Sequence, residues 1–225
     1  MVRRPSPKRS PIARAGKRPP RARLEVDERR AQLLALGLAM FSERSYDEVS
    51  VDELARAAGV SKGLLYHYFP TKRDLYVEAL AFASRQLLDE TLAAPEVAPD
   101  ERVRHGLETY FDFVERHGPA YAALMHGGVG SDPEVAAILE QTRGAFAARI
   151  VEGLPRAAVR PLLRITLRGW IGFVEATSLD WLAHRRVRRA DLVTLLAGVL
   201  FDALARATGG AVPVVAPPKP RARRA

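Results

Sequence analysis

Between Asp27 and Ala207 apolar residues return every three or four positions almost without interruption, and no stretch settles into the strict alternation of a half-buried strand. That pattern argues for an all-α protein. The helix boundaries can be read as well. Asp27 is a good N-cap for a first helix reaching about Arg44, with Leu34, Leu38 and Phe41 on one face. Ser50 and Glu53 have the spacing of a capping box, in which each side chain satisfies an orphan backbone donor, and Val51, Leu54, Ala55 and Ala58 follow as one stripe. Gly59, free to take the left-handed conformation, ends that helix. Ser61 caps a third, short helix that reaches Phe69 and is stopped by Pro70, and Thr71 with Asp74 opens a long fourth helix to about residue 92. Further helices are expected at about 100–117, 119–127, 132–153, 156–185 and 189–207, with Pro133 in a first turn and Gly118-Pro119 at a break.

Charge separates the ends from the body. Of the net +9, residues 1–23 supply nine and the last ten residues supply four, which leaves residues 24–215 at −4. Residues 1–23 and 209–225 are rich in Pro and Arg and poor in large apolar side chains, so they cannot repay the entropy of ordering and are expected to be disordered basic arms. The absence of cysteine excludes disulfides, thiol catalysis and thiolate zinc sites, and fits a reducing cytoplasm. The basic N-terminus is broken by five prolines and followed by no apolar run of signal-peptide or membrane-span length, so no membrane association is expected. The five histidines (His67, His105, His117, His126, His184) are scattered, with no HExxH, GxSxG or phosphate-binding loop, so neither an enzyme nor a metal or cofactor is expected.

Two short helices joined by a four-residue turn, with a helix before and after them, form a helix-turn-helix inside a small bundle. Ala57, Ala58 and Gly63 let the pair approach closely, and Val60, Leu65 and Phe69 are spaced to face its core. Lys62, Leu64, Tyr66, His67 and Tyr68 are left to look outward, an arrangement that suits a helix lying in a DNA major groove. Lys72 stands at a helix start, where backbone N–H groups also favour a phosphate.

Residues 28–76 resemble the DNA-binding domain of the TetR family of bacterial transcription regulators. The likeness is carried by Ala39-Met40-Phe41, the Ser50 to Ala55 helix start and the ending Tyr66-His67-Tyr68-Phe69. It implies that Ser50, Tyr68 and Lys72 hold phosphates of double-stranded DNA, with Lys62, Gly63, Leu64, Tyr66 and His67 at or near base edges. Leu64 departs from the family's frequent Thr, exchanging a hydroxyl contact for an apolar one, and Ser45 stands where Gly commonly ends the first helix. The implied plan is a DNA-binding domain at 24–76 and an α-helical ligand-binding and dimerisation domain at 77–208, paired as a homodimer through its last two helices. Reading heads about 34–36 Å apart would then meet a palindromic operator. The implied function is a repressor that releases its operator on binding a small effector; the alternatives are an activator of the same fold and a helical small-molecule binding protein that does not regulate DNA. Residues 24–76 hold seven basic and nine acidic side chains, so the N-terminal arm is either the source of much of the salt-dependent affinity or a solvated tail.

Downstream, Arg164, Arg168 and Glu175 fall near one face of an apolar helix, as an internal ion pair or as the anchor of a ligand's polar head. Trp170, Phe173, Tyr110 and Phe146 point to an apolar ligand. The last helix, with Leu192, Leu195, Leu196, Val199, Leu200 and Leu204, offers too wide an apolar surface for one neighbour and is expected to pack on a second copy as well.

Overall fold

The structure is a computed structural model and describes residues 21–92, 97–126, 132–154 and 161–210. Most of the two basic arms, and the expected start of the helix at 156, lie outside these residues. Among those described there are helices and turns but no strand: α1 (Arg21–Glu43), α2 (Val51–Ala57), α3 (Lys62–Tyr68), α4 (Lys72–Glu90), α5 (Pro99–Arg116), α6 (Gly118–Met125), α7 (Pro133–Glu152), α8 (Pro161–His184) and α9 (Arg189–Thr208). The first helix begins six residues before Asp27. After Pro20, the last proline of the arm, the stretch Arg21 to Val26 contains no residue that breaks a helix.

Both capping boxes form. The Ser50 side chain accepts from Glu53 N while Glu53 accepts from Ser50 N, and Thr71 and Asp74 repeat the exchange at α4. Between α2 and α3 the chain turns on Gly59 at φ 63°, with Gly59 N–H on the Arg56 carbonyl and Val60 N–H on the Ala55 carbonyl. These two bonds are the Schellman closure of a helix C-terminus, and glycine makes its left-handed residue inexpensive. Ser61 then caps α3 through Leu64 N.

Helices α1 to α3 and the first turns of α4 enclose one core of Leu33, Leu34, Phe41, Val49, Leu54, Leu65, Phe69 and Leu75. Gly37 lets α1 and α4 approach closely, since a Cβ there would sit 3.2 Å from Leu75 Cδ1. The remaining helices bury a second core of Leu107, Phe111, Val174, Trp181 and Leu196 between α5, α8 and α9, and a third of Leu163, Leu167, Leu200 and Leu204 along α8 and α9. α6 packs on α1, and α7 lies along α4 and α8.

A polar clamp ties α7 to the start of α4. Arg73 makes two bonds to Asp132, from Nε to Oδ2 at 2.6 Å and from Nη2 to Oδ1 at 2.7 Å, while Asp132 Oδ1 caps α7 through Glu134 N. Arg73 holds the Asp132 carboxyl at about 2, below its ordinary 3.8. A carboxylate depressed in the folded state adds stability above its unfolded pKa and loses it as pH falls toward the folded one. Asp132→Asn keeps a capping oxygen but removes the charge. The variant should melt below the wild type at pH 7, and the gap should close as pH falls from about 4 to 2, as read by thermal midpoints across that range.

Candidate nucleic-acid interface and effector cavity

Leu65 and Phe69 anchor α3 in the first core, at 4% and 1% exposure, and that anchoring fixes which side chains face out. Lys62, Gly63, Leu64, Tyr66 and His67 are all exposed, whereas Tyr68 is half-buried against the core. Leu64 and Tyr66 rank among the chain's exposed large apolar residues, an unfavourable position unless another surface covers them. Lys62 reaches back to Asp52 at 2.5 Å, a pair between exposed groups that a phosphate can displace at little cost.

The residues expected to hold phosphates have internal partners. The Ser50 hydroxyl donates to Glu53 Oε2 at 2.8 Å, and the Ser50 backbone N–H, aided by Arg44, holds the Glu53 carboxyl at about 2. Lys72 is half-buried, its ammonium donating to the carbonyls of Tyr46 at 2.8 Å and Val49 at 3.0 Å and lying 4.1 Å from the centre of the Tyr46 ring. It clamps the turn that delivers Ser50, and one of its three N–H donors remains for a phosphate. Tyr46 is raised above its ordinary pKa mainly by burial and stays neutral under that ammonium.

A cavity of about 870 Å³ runs from α1 to α9 between α4, α5, α6, α7 and α8. Its volume lies near the top of the usual range of about 300–1,000 Å³ for ligand sites. Tyr110, Phe146, Trp170 and Glu175 line it, as do Leu38, Phe41 and Ser42 of α1. Arg168 and Phe173 do not. Arg168 is exposed and pairs with Glu140 at 2.9 Å, while Phe173 faces away from the cavity, lining a shallow groove with Trp181 and Val187. Nor does Glu175 pair along its own helix: its partner is Arg143 of α7, through Nε at 2.8 Å and Nη2 at 3.0 Å. Arg164 is exposed.

Sequence reasoning passed over Arg143, Tyr121, Ser42 and His117. Arg143 lies four residues after Leu139 and three before Phe146 in a largely apolar stripe, and that interruption is the signal the sequence offers. Tyr110, Tyr121 and Ser178 join their hydroxyls, with Tyr110 to Tyr121 at 2.5 Å and Tyr121 to Ser178 at 3.1 Å, and burial lifts both phenols above their usual pKa. At the α1 end, the Ser42 hydroxyl donates to the Leu38 carbonyl at 2.7 Å and meets His117 Nδ1 at 2.6 Å. With its own proton on Leu38, Ser42 accepts from Nδ1. Burial lowers the His117 pKa and keeps the ring neutral. No metal-binding cluster and no helix long and apolar enough to cross a membrane occurs among the described residues.

Comparison with known proteins gives a consistent picture. Residues 33–79 match the family model described as bacterial regulatory proteins, tetR family, and residues 99–202 match the tetracyclin repressor-like C-terminal domain. A crystal structure of a tetR-family transcriptional regulator from Streptomyces coelicolor is 39% identical, superposes with a TM-score of 0.75, and is matched over 83% of this chain and 87% of that one. The HTH-type transcriptional activator FasR of Mycolicibacterium smegmatis is 36% identical over 51% of this chain and 53% of its own length. The HTH-type transcriptional repressor KstR2 of Mycobacterium tuberculosis is 34% identical over 41% of this chain and 48% of its own. The chain thus spans about half the length of these curated relatives.

Because Lys72 closes the turn before α2, Lys72→Ala should lower the stability of the DNA-free protein by about 1.5–3 kcal/mol, the range for hydrogen bonds to a charged group. Lys62→Ala, which removes only an exposed pair, should change it by less than about 0.5 kcal/mol. Denaturant unfolding followed by circular dichroism separates the two.

Proposed function

The chain belongs to the TetR family of bacterial regulatory proteins, and from that premise we propose that it is a homodimeric repressor of transcription that leaves a palindromic operator when a small, largely apolar effector fills the cavity. The observation that carries the DNA-binding half is the exposed row Lys62, Gly63, Leu64, Tyr66 and His67 on a helix whose other face is locked in a core. Lysine and phenol donors, a glycine that admits close backbone approach and an apolar side chain matched to a thymine methyl are the chemistry of a major-groove surface. Ser50, Tyr68 and Lys72 flank that row as backbone-contacting groups; for Ser50 this requires its hydroxyl to turn from Glu53 to a phosphate. The site of action is the cytoplasm, where the operator is.

Support for effector control comes from the composition of the cavity wall. Leu38, Phe41 and Ser42 of α1 and Tyr76 and Ala79 of α4 line the cavity while belonging to the helices that carry the reading head. A ligand in contact with them has different interactions with different head positions, which is what a shift of population requires.

Pairing of two copies is supported by the outer faces of α8 and α9. Leu162, Ile165 and Leu195 are more than half exposed, Ile165 at 71%, and nothing lies within 4 Å of a Cβ built on Gly169, Gly172 or Gly198 nearby. Such a stripe of large and absent side chains fits a second copy of itself in an isologous contact.

DNA binding is tested by titrating fragments from beside the protein's own gene at several salt concentrations. Lys62→Ala/Tyr66→Ala should keep the wild-type melting temperature but lose specific binding by at least about tenfold, with a shallower salt slope. Unchanged affinity would reject this surface. Pairing is tested by sedimentation equilibrium, in which Ile165→Arg should sediment as a folded monomer and bind a palindromic fragment at least about tenfold more weakly; a persistent dimer would place the interface elsewhere.

A further inference from the structure

We infer that the effector is a long apolar molecule whose polar end is a hydrogen-bond donor without negative charge, a hydroxyl in the simplest case. This rests on reading the cavity as the effector site, and it comes from counting protons and charges along the wall.

The charges close on themselves. Arg168, Glu140, Arg143 and Glu175 alternate in sign along one chain of contacts, with Arg168 to Glu140 at 2.9 Å, Arg143 Nη1 to Glu140 at 2.6 Å, and Arg143 to Glu175 through two bonds. Arg143 and Glu175 stand on the wall, Arg168 and Glu140 outside it, and the four sum to zero. Of the five N–H donors of Arg143, three serve these carboxylates, the second on Nη2 has only the Met125 thioether at 4.0 Å, and the second on Nη1 is not used by these bonds. A ligand carboxylate brought here would lose its hydration and find a guanidinium already matched by two carboxylates.

In the group formed by Tyr110, Tyr121 and Ser178 the hydroxyl protons are also spent. Ser178 Oγ donates to the Glu175 carbonyl at 2.8 Å and so accepts from the phenols. The shorter bonds give the order Tyr110 to Tyr121 to Ser178, and either order uses all three protons. Thr142, also on the wall, donates to the Ile138 carbonyl at 2.8 Å. Acceptor capacity remains: a carboxylate offers about four lone-pair sites, of which Arg143 takes two on Glu175, and in the shorter-bond order the Tyr110 oxygen accepts nothing. This part of the wall therefore suits a neutral hydroxyl, which can donate to Glu175 or Tyr110 and accept from Arg143. Around it Leu80, Ala83, Leu107, Leu139 and Val174 are apolar and complement a hydrocarbon body. The other cations on the lining, Arg102 and Arg149, stand toward the α5 and α7 ends, where Arg149 is tied to the Leu88 carbonyl and the Thr91 hydroxyl.

Calorimetric titration of the full-length protein with 1-dodecanol, methyl dodecanoate and dodecanoate tests this, because the three share a chain and differ in the head. Dodecanol should bind at least about tenfold more tightly than the other two, the scale of one hydrogen bond to a charged or buried acceptor. Glu175→Gln frees part of the Arg143 charge and should invert the order of dodecanol and dodecanoate. Tyr110→Phe should weaken dodecanol several-fold and leave the ester unchanged, with far-UV circular dichroism confirming that both variants fold. Dodecanoate binding at least as tightly as dodecanol to the wild type would overturn the inference and move the head group to the Arg102 and Arg149 end. Equal binding of ester and alcohol would overturn it too while leaving the effector cavity standing. Failure of all three probes to bind would overturn both.

Discussion

Nineteen residues of α4, unbroken from Lys72 to Glu90, close two compartments at once. Leu75 and Ala79 complete the core beneath the reading helix, and one to three turns later Ala83 and Leu87 wall the cavity. The α1 helix does the same on the opposite side, with Leu33 and Leu34 in the core and Leu38, Phe41 and Ser42 reaching the cavity. Close-packed helices move as rigid units, so neither compartment can change shape without the other registering it. The approach at Gly37 and the pairing of Arg30 with Glu78, with Arg30 also 5.0 Å from the Phe69 ring centre, keep the two helices in step.

Among the described residues, two polar clamps link α1 and the start of α4 to the helices beyond. Arg73 and Asp132 fasten the first turn of α4 to the cap of α7, one residue from the Lys72 that secures the turn before α2. Ser42 and His117 join α1 to the corner between α5 and α6 at the cavity wall. Ion pairs with exposed partners add little stability but fix geometry. The largely apolar cavity leaves its surrounding helices short of contacts, and these clamps hold their separation.

What the sequence made legible was local. Ser50 with Glu53, Thr71 with Asp74, and Gly59 in its turn each depend on residues at most a few positions apart, and each formed as read. Leu65 and Phe69 on one side of α3, and Lys62 and Tyr66 on the other, followed from periodicity alone. The cavity was only half legible. Tyr110, Phe146, Trp170 and Glu175 do line the cavity, but Phe173, two residues and so about 200° of helix from Glu175, faces the opposite way, as the helical period requires. The partner of Glu175 could not be found along its own helix because it comes from Arg143, 32 positions away. Lys72 has a second role that the sequence did not disclose. Its position at a helix start was correct, yet its engagement with the Tyr46 and Val49 carbonyls depends on how α1 delivers the preceding turn, which no local pattern encodes.

The charge balance of the head bears on how such a protein would be controlled. With seven basic and nine acidic side chains in residues 24–76, and with Lys62 and Lys72 already in contact with protein groups, one head has little general attraction for a polyanion. Beyond whatever the basic N-terminal arm supplies, affinity in the proposed dimer would come from base-edge contacts and from two heads engaging together, where the second binds at the high effective concentration set by the first. A chelate of that kind depends steeply on spacing. In the proposed dimer a tilt of α4 that took one head out of register would forfeit that cooperative gain, and an effector could bring it about only to the extent that it binds the tilted arrangement better. The near-neutral head and the continuous helix beneath it are therefore two parts of one physical requirement: weak individual grip makes geometry decisive, and α4 carries that geometry to the cavity.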